Sequence, residues 1–503
     1  MAVRFLKLHN CQAKRVDDLP QLSFEEFRDF VVKETRSGAR VVSFFASPGE
    51  NGAVKLMMIL AYNKEGYLKA FYTVVKDSYV SLTNSVPQVH WFEREIFEQV
   101  GVCPNGHPWL KPIRFSVPHK NSPNNLRFKE ILPSVTNFLK VQGEEIHEVA
   151  VGPVHAGIIE SGHFRFQCHG EQVFHLEISL GYQHRGIEKA LAGGPDKKTI
   201  HYMETASGDT TVGHSLAYCQ AIEALSDCDV PLRASALRSI MLELERLANH
   251  TGDLGALASD VGYLPTSAYC GRLRGDFLNI TAFICGNRFG HNMVRPGGVM
   301  FDLDNVMISE LKKRLEKTFI DVKNAVSLMW DSSLVLDRFE ETGVVSVQAA
   351  LELGLVGVAA RACGLEQDVR FDFPVGAFRF SQIPLSTCSS GDVFARAFVR
   401  WLEIQRSFEF IMDQLNNLPE SEIAVSTEPI KSEKMVISLV EAWRGEICHV
   451  VFTDKKGNIS QYKMVDPSFH NWIGLAMALR GEEISDFPLC NKSFNLSYCG
   501  HDL

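Results

Sequence analysis

The chain has twelve cysteines and not one Cys-x-x-Cys pair. Its closest pairs, Cys219 with Cys228 and Cys490 with Cys499, lie nine positions apart. Structural zinc and iron–sulfur sites usually use gaps of about two to four residues, because one tight turn must aim both sulfurs at one ion. The cysteines therefore read as scattered buried thiols of a reducing compartment, and no cluster is expected in this chain. An apolar run long enough to cross a bilayer is also missing, so membrane association is expected through partners. No secretory leader is visible, since Met1-Ala2-Val3-Arg4-Phe5 runs into polar sequence. Positive charge is not in excess: a net charge of −9 argues against nucleic acid, whose phosphates need a basic surface. No Gly-x-Gly-x-x-Gly element follows a strand pattern, which assigns any nicotinamide chemistry to another chain. There is no internal repeat and no low-complexity tract.

What is present is the composition of a globular protein, 45% hydrophobic and 22% charged over 503 residues, long enough for two or three cores. Residues 1–125 read as a small α+β domain. Apolar, β-branched runs at 40–46, 54–62 and 67–75 are separated by turn-rich segments, the second of them the hairpin-like Asn63-Lys64-Glu65-Gly66. Helical patterns occupy 24–35 and 91–100, and 117–125, rich in Pro, Asn and Ser, reads as a linker. From 145 to 503 long amphipathic helices dominate. In 233–250 the residues Leu237, Ile240, Met241, Leu244, Leu247 and Ala248 make an apolar stripe, while Arg238, Glu245 and Arg246 fall off it. Leu311, Leu315, Phe319 and Val322 repeat the signal, as do Phe394, Phe398, Leu402, Phe408 and Met412, with Asp392 placed to cap that helix. A β-rich piece spans 435–462, with a turn at Lys455-Lys456-Gly457-Asn458. The expected fold class is α+β: a small N-terminal α+β domain, then a large, mainly helical domain with small β-rich parts.

Several motifs carry a family resemblance. Trp91-Phe92-Glu93-Arg94-Glu95-Ile96-Phe97-Glu98, followed by Gly101 and His107-Pro108-Trp109-Leu110-Lys111, resembles the signature of the small accessory subunit of respiratory complex I. Read alone, Glu93, Arg94 and Glu95 are a solvated helix start with local ion pairs; with the resemblance, the domain is a docking module. The second domain carries Gly152-Pro153-Val154-His155-Ala156-Gly157, Gly162-His163-Phe164-Arg165-Phe166 and Gly181-Tyr182-Gln183-His184-Arg185-Gly186-Ile187-Glu188-Lys189. It continues with Arg295-Pro296-Gly297-Gly298, Arg361-Ala362-Cys363-Gly364 and Asp368-Val369-Arg370. These resemble the large subunit of energy-converting, membrane-bound nickel-iron hydrogenases and the quinone-site subunit of complex I. The tail, with Trp443-Arg444-Gly445-Glu446 and Asp466-Pro467-Ser468-Phe469, leans to the hydrogenase side.

At the metal-ligand positions that the resemblance identifies, the chain departs from the pattern. The first thiol pair reads Ser207 and Thr210, and the second Ser497 and Gly500, with Cys499 one residue away. Nickel and iron need soft anionic thiolates, whereas hydroxyls are harder donors that stay protonated at neutral pH, and glycine offers nothing. The expectation is a hydrogenase-related member with no metal of its own and no hydrogen activation. Against complex I, the quinone-contacting tyrosine falls on Gly208 and the histidine on His163, across a short insertion. Polar contacts to a quinone in the cleft would then come from Asp209, His214 or Cys499.

In the hydrogenases the Arg-Gly-x-Glu element contributes a glutamate to proton transfer; here it is Arg185-Gly186-Ile187-Glu188. On a helix His184 and Glu188 would share a face, as a proton relay or as an ion pair fixing a loop to a helix. Asp209 reads either as a poorly hydrated carboxylate with a raised pKa or as a helix cap. His214 reads as a core histidine or as part of the site. The resemblance implies an iron–sulfur small subunit, a ferredoxin-like subunit and antiporter-like membrane-arm subunits as partners, with the clusters held there. It also implies a cytoplasmic place, peripheral on the inner face of the cell membrane. Two functions follow: electron transfer to a quinone or other small acceptor coupled to ion translocation, or a non-catalytic scaffold or proton-coupled conformational subunit.

Overall fold

The computed structural model describes residues 5–49, 52–116, 137–143, 145–154 and 160–503. The expected linker at 117–125 and the motif residues His155, Ala156 and Gly157 lie outside them. The first unit is built on a five-stranded sheet. Leu6–Leu8 (β1), Tyr67–Val75 (β6), Val54–Tyr62 (β5) and Arg40–Pro48 (β4) lie side by side in that order, and Gln21–Leu22 (β3) pairs parallel to β6. Residues 63–65 form a turn of 3-10 helix closed by Gly66 at φ 65°, a left-handed position that glycine takes at no steric cost. Helix Phe24–Arg36 (α1) starts in a capping box, in which the Ser23 hydroxyl accepts from the Glu26 amide and Glu26 accepts from that of Ser23. Its Phe27 and Phe30 meet Phe71 edge-on, sealing one face of the sheet.

Helix His90–Val100 (α2) departs from the solvated reading. Glu93, Arg94, Glu95 and Glu98 are all buried. Each is held by hydrogen bonds, as buried charge requires. The Glu98 carboxylate accepts the amides of Ile113 and Arg114, at 2.9 and 3.0 Å. Arg94 donates to the carbonyls of Lys111 and Pro112, and Glu93 accepts the Leu82 amide. Glu95 pairs with Arg114 and with Lys463 from the far end of the chain. Short strands Ser78–Val80 (β7) and Cys103–Asn105 (β8) pair beside this helix.

The second unit opens with an antiparallel sheet of Gln172–Ser179 (β11), His163–His169 (β10) and Ile146–Val151 (β9). Short helices Ile187–Ala190 (α3) and Thr199–Glu204 (α4) lead into Thr211–Leu225 (α5), Leu232–Asp260 (α6), Leu264–Cys285 (α7) and, after the small ribbon of Val294–Arg295 (β12) and Gly298–Val299 (β13), Asn305–Trp330 (α8). Ser333–Phe339 (α9), Val347–Leu353 (α10), Gly357–Arg361 (α11) and Val369–Asp372 (α12) then connect to Val393–Asn416 (α13), whose first turn is capped by Asp392 accepting from the Ala395 amide. The stripes expected from the sequence sit inside α6, α8 and α13. Among the described residues, no helix is long and apolar enough to cross a membrane.

The last sheet joins the two ends of the chain. Ile459–Val465 (β16), Gly445–Thr453 (β15) and Lys434–Ala442 (β14) are antiparallel neighbours, and Lys14–Arg15 (β2) adds to the outer edge of β14. The turn at 455–458 is set by Asp454, which accepts the amides of Lys456 and Asn458. Beneath it, Arg40 of β4 donates both ends of its guanidinium to Glu446 of β15, at 2.8 and 2.6 Å. Helices Pro467–Ala478 (α14), Phe487–Phe494 (α15) and Tyr498–Asp502 (α16) complete the chain.

Candidate functional site

The two halves of the ligand pattern meet where the turn between α4 and α5 faces α16. Ser497 caps α16: its hydroxyl accepts the Gly500 amide at 2.9 Å and the Gly208 amide at 3.3 Å, and touches the Cys499 sulfur at 3.3 Å. Thr210 donates to the Gly208 carbonyl and accepts from the Trp443 indole and from Arg444, both at 3.1 Å. Arg444 also donates to the carbonyls of Gly208 and Asn495, each at 2.6 Å, and its guanidinium lies 3.9 Å from the centre of the Trp443 ring. Ser207 is buried, and its hydroxyl has no hydrogen-bond partner among the described residues. The four positions together offer three hydroxyls and one bare backbone. Burial pushes the nearest thiol, that of Cys499, up to about 11, so it is not a ready thiolate. Among the described residues no group of three or more His, Cys, Asp or Glu side chains is placed to hold a metal. This donor set does not fit a nickel-iron centre.

Gly500 sets a steric condition. A Cβ there would lie 2.6 Å from the Ser207 hydroxyl and 2.8 Å from Oδ1 of Asp466. Gly500→Cys is therefore expected to lower stability by about 1–3 kcal/mol, as overpacking of a filled site does. Urea unfolding of the variant against the parent measures this, and an unchanged midpoint would mean the site has room that the geometry denies.

Asp466 follows β16, is wholly buried and accepts the Ser468 amide. Its Oδ2 lies 3.1 Å from Nε2 of His214, whose Nδ1 lies 3.1 Å from Nε2 of His449. Nδ1 of His449 is 2.8 Å from the Tyr462 hydroxyl. Burial pushes the Asp466 carboxyl up, but the hydrogen bond and charge of His214, with Arg444 behind them, bring it down to about 2. Burial and the adjacent His214 hold His449 far below the ordinary histidine value.

The residues singled out from sequence are not all brought together. His214 is in the site. Glu188 stands apart from His184: α3 begins at Ile187, so the two do not share a helical face. The Nδ1 of His184 bonds the Asp502 carbonyl at 2.8 Å. The carboxylate of Glu188 meets Lys463 at 3.1 Å and Arg114 at 3.7 Å and accepts the Met464 amide. Burial raises its pKa, and Lys463 and Arg114 outweigh that and hold it below the usual value. Arg185 donates to the carbonyls of Thr205 and Ala206, buttressing the turn that carries Ser207. Asp209 is neither dry nor a cap. Its side chain is 43% exposed and pairs with Arg274, and the N-cap of α5 is Thr210. His163 lies at the start of β10 against the Phe138 ring, and Cys499 lies in α16.

Sequence reasoning did not single out Arg444, Asp466, His449 or Glu245 as site residues. The Glu245 carboxylate accepts the amides of Val212 and Gly213 at the start of α5, at 2.7 and 3.3 Å. Burial raises it to about 8 despite those bonds. A carboxylate on a polar break of a helical stripe, facing another helix N-terminus, is the signal that was available. The cavity that Glu245 lines with Asp209, Val212, Met241 and Asn249 measures about 10 Å³. That is room for one water at most.

Comparison with known proteins places this geometry. Residues 260–436 match the family of the 49 kDa subunit of respiratory-chain NADH dehydrogenase, and residues 13–127 match that of its 30 kDa subunit. The chain is 30% identical over 353 residues to the carbon monoxide-induced hydrogenase of Rhodospirillum rubrum, covering 69% of this chain and 97% of the relative. It is 27% identical over 446 residues to hydrogenase-4 component G of Escherichia coli (strain K12), covering 86% and 77%. With NADH-quinone oxidoreductase subunit 4 of Thermus thermophilus it shares 30% over 371 residues, covering 68% and 90%. The chain therefore belongs to the family that unites the 49 kDa subunit of complex I with the large subunits of membrane-bound hydrogenases, and it carries a 30 kDa-subunit domain in the same polypeptide.

Proposed function

We propose that this chain is a core subunit of a membrane-associated, complex I-like oxidoreductase that does not activate hydrogen. In this reading a partner iron–sulfur subunit delivers electrons, a ferredoxin-like subunit feeds it, and a quinone or other small organic acceptor is reduced. Antiporter-like membrane-arm subunits move ions in response, and the assembly sits on the inner face of the cell membrane. The observation that carries the reading is the cluster of Ser207, Thr210, Ser497 and Gly500, closed by Arg444 where thiolates would be needed. Glu188 then acts as a fixed charge between Lys463 and Arg114, and His214 with Asp466 handles protons beside the cluster.

A second reading is favoured by the close packing of the cluster, where a Cβ on Gly500 would lie 2.6 Å from the Ser207 hydroxyl, and by the neighbouring cavity beside Glu245, about 10 Å³ where a quinone ring would need many times that. In it the chain is a non-catalytic, proton-coupled conformational subunit, and the acceptor binds elsewhere in the complex. One purification decides between them. The tagged chain is isolated from its native membrane, and co-purifying chains, nickel, iron and quinone reduction are measured. The expected result is an iron–sulfur subunit and membrane-arm subunits, no stoichiometric nickel, no hydrogen uptake, and quinone reduction that falls at least tenfold in Arg444→Ala. Quinone reduction indifferent to Arg444 favours the second reading, and stoichiometric nickel overturns both.

A further inference from the structure

The chain Tyr462–His449–His214–Asp466 has a consistent direction of hydrogen bonding. In its neutral form Nε2–H of His214 donates to the Asp466 carboxylate, which leaves Nδ1 of His214 as an acceptor. Nε2–H of His449 fills that acceptor, which leaves Nδ1 of His449 to accept the Tyr462 O–H. All four side chains are buried, with both rings at zero exposure. Both ring nitrogens of each histidine are engaged, so neither ring can turn without breaking two bonds. The far end of the chain points away from the cluster. Tyr462 is within electrostatic reach of Tyr218 of α5, whose hydroxyl bonds Thr199, and Thr199 donates to the exposed Asp196 at 3.0 Å.

We propose that Tyr462, His449 and His214 form a one-proton shuttle that carries a proton from the Asp196 side of α5 to the buried pair His214–Asp466 beside Ser207 and Gly500. A proton arriving from the Tyr218 side binds the Tyr462 oxygen as that oxygen's own proton passes to Nδ1 of His449. The Nε2 proton of His449 passes to Nδ1 of His214. With the bond of the oxygen that gives up the incoming proton counted, one O–H and two N–H bonds form, two O–H bonds and one N–H bond break, and no electrons change hands. The product is an imidazolium at His214 against the Asp466 carboxylate, with His449 still neutral but in its other tautomer. Because the rings are pinned, the chain reloads only by running backwards. It therefore lends a proton to the cluster and retrieves it, a behaviour suited to balancing a charge that comes and goes there. This deepens the proposed coupling role and rests on it for its purpose, though not for its geometry.

The groups that face the shuttle are Tyr218 and Cys219 from α5, Cys448 from β15, Arg444 from the turn before it and His470 from α14, the last two acting on Asp466 and His470 itself held down at about 3 by burial. None of these is an acid or base that changes charge near neutrality in such surroundings, so a titration there reports the shuttle itself. The test is nitrogen NMR of the full chain with labelled histidines, assigned by His449→Gln and His214→Gln and followed from pH 5 to pH 8. The expected result is that His214 gains its proton in the same transition in which His449 moves its proton from Nε2 to Nδ1. In Tyr462→Phe, which keeps the buried ring but removes the oxygen, the tautomer shift of His449 is lost. A His449 that keeps one tautomer while His214 titrates overturns the shuttle, and this can be read from the unsubstituted protein alone. The purification described above bears on the assembly and its electron transfer and not on the bonds of these four side chains, so a missing partner subunit would overturn the coupling role and leave the shuttle standing.

Discussion

Glu403→Ala is expected to cost about 3–5 kcal/mol of stability, a large share of the roughly 5–15 kcal/mol typical of a domain. Glu403 of α13 is the node of a buried ionic network. It accepts from Arg361 at 2.6 Å, Arg246 at 3.3 Å and Arg370 at 3.3 Å, and meets Nε2 of His250 at 2.7 Å. Glu243, Asp368 and Glu441 supply the remaining negative charge to the same three arginines. Removing the node leaves guanidinium groups without water or full pairing, which is far worse than replacing a whole pair by apolar side chains. Urea unfolding measures the loss, and a change under about 1 kcal/mol would show that the remaining carboxylates suffice. The pH dependence has a defined sign. Burial raises Glu403, Glu243 and Asp368, but their arginines outweigh it and hold all three below the ordinary carboxylate range. Their contribution is present above the unfolded value, about 4, and is lost as pH falls below it. Glu441, pushed to about 7 by burial and by Asp368, works oppositely, and its contribution fades as pH rises towards neutrality. Glu403→Ala should therefore flatten the acid limb of the stability curve and leave the neutral limb in place.

The second large effect is expected at Arg40→Ala. The Arg40–Glu446 pair is bidentate and buried on both sides, and it ties the N-terminal sheet to the last one. Truncating the arginine strands Glu446 in the interior, at a cost of about 3–5 kcal/mol. Replacing both residues by methionine should recover much of that, because neither charge then remains buried alone. Unfolding midpoints of the two variants decide the matter: if the double replacement is as damaging as the single one, packing rather than stranded charge is the cause.

The stripes of α6 and α8 were legible because they bury an apolar face at helical period, and the strands of the first domain because they are continuous apolar runs. The α13 residues Phe394, Phe398, Leu402, Phe408 and Met412 are only half-buried, and its buried face runs through Val393, Ala397, Trp401, Ile404 and Ile411. The convergence of positions 207, 210, 497 and 500 was legible through family resemblance, since no local pattern links residues so far apart. What periodicity could not reach was the charge inside. Arg238 and Arg246 fall off the stripe of α6, yet both are buried, because α6 is enclosed on its polar side as well. Arg238 pairs with Glu223, and Arg246 with Glu243 and Glu403. A hydrophobicity pattern scores such a residue as solvent-facing; only its partners, up to 157 positions away, make it interior. The same distance hid the true partners of Glu188, which are Lys463 and Arg114 rather than the nearby His184.

Pairing of β2 with β14 gives the polypeptide an order in time. Asn10 bonds the backbone of Leu439 across 429 positions, and Lys14 and Arg15 align with Met435 and Lys434. At a ribosome adding about 5–20 residues per second, that opening stretch waits about 20–90 s for its neighbour to emerge. Throughout that interval the stretch has no strand to pair with, and its brevity and the charges of Lys14 and Arg15 give other nascent chains little edge to join.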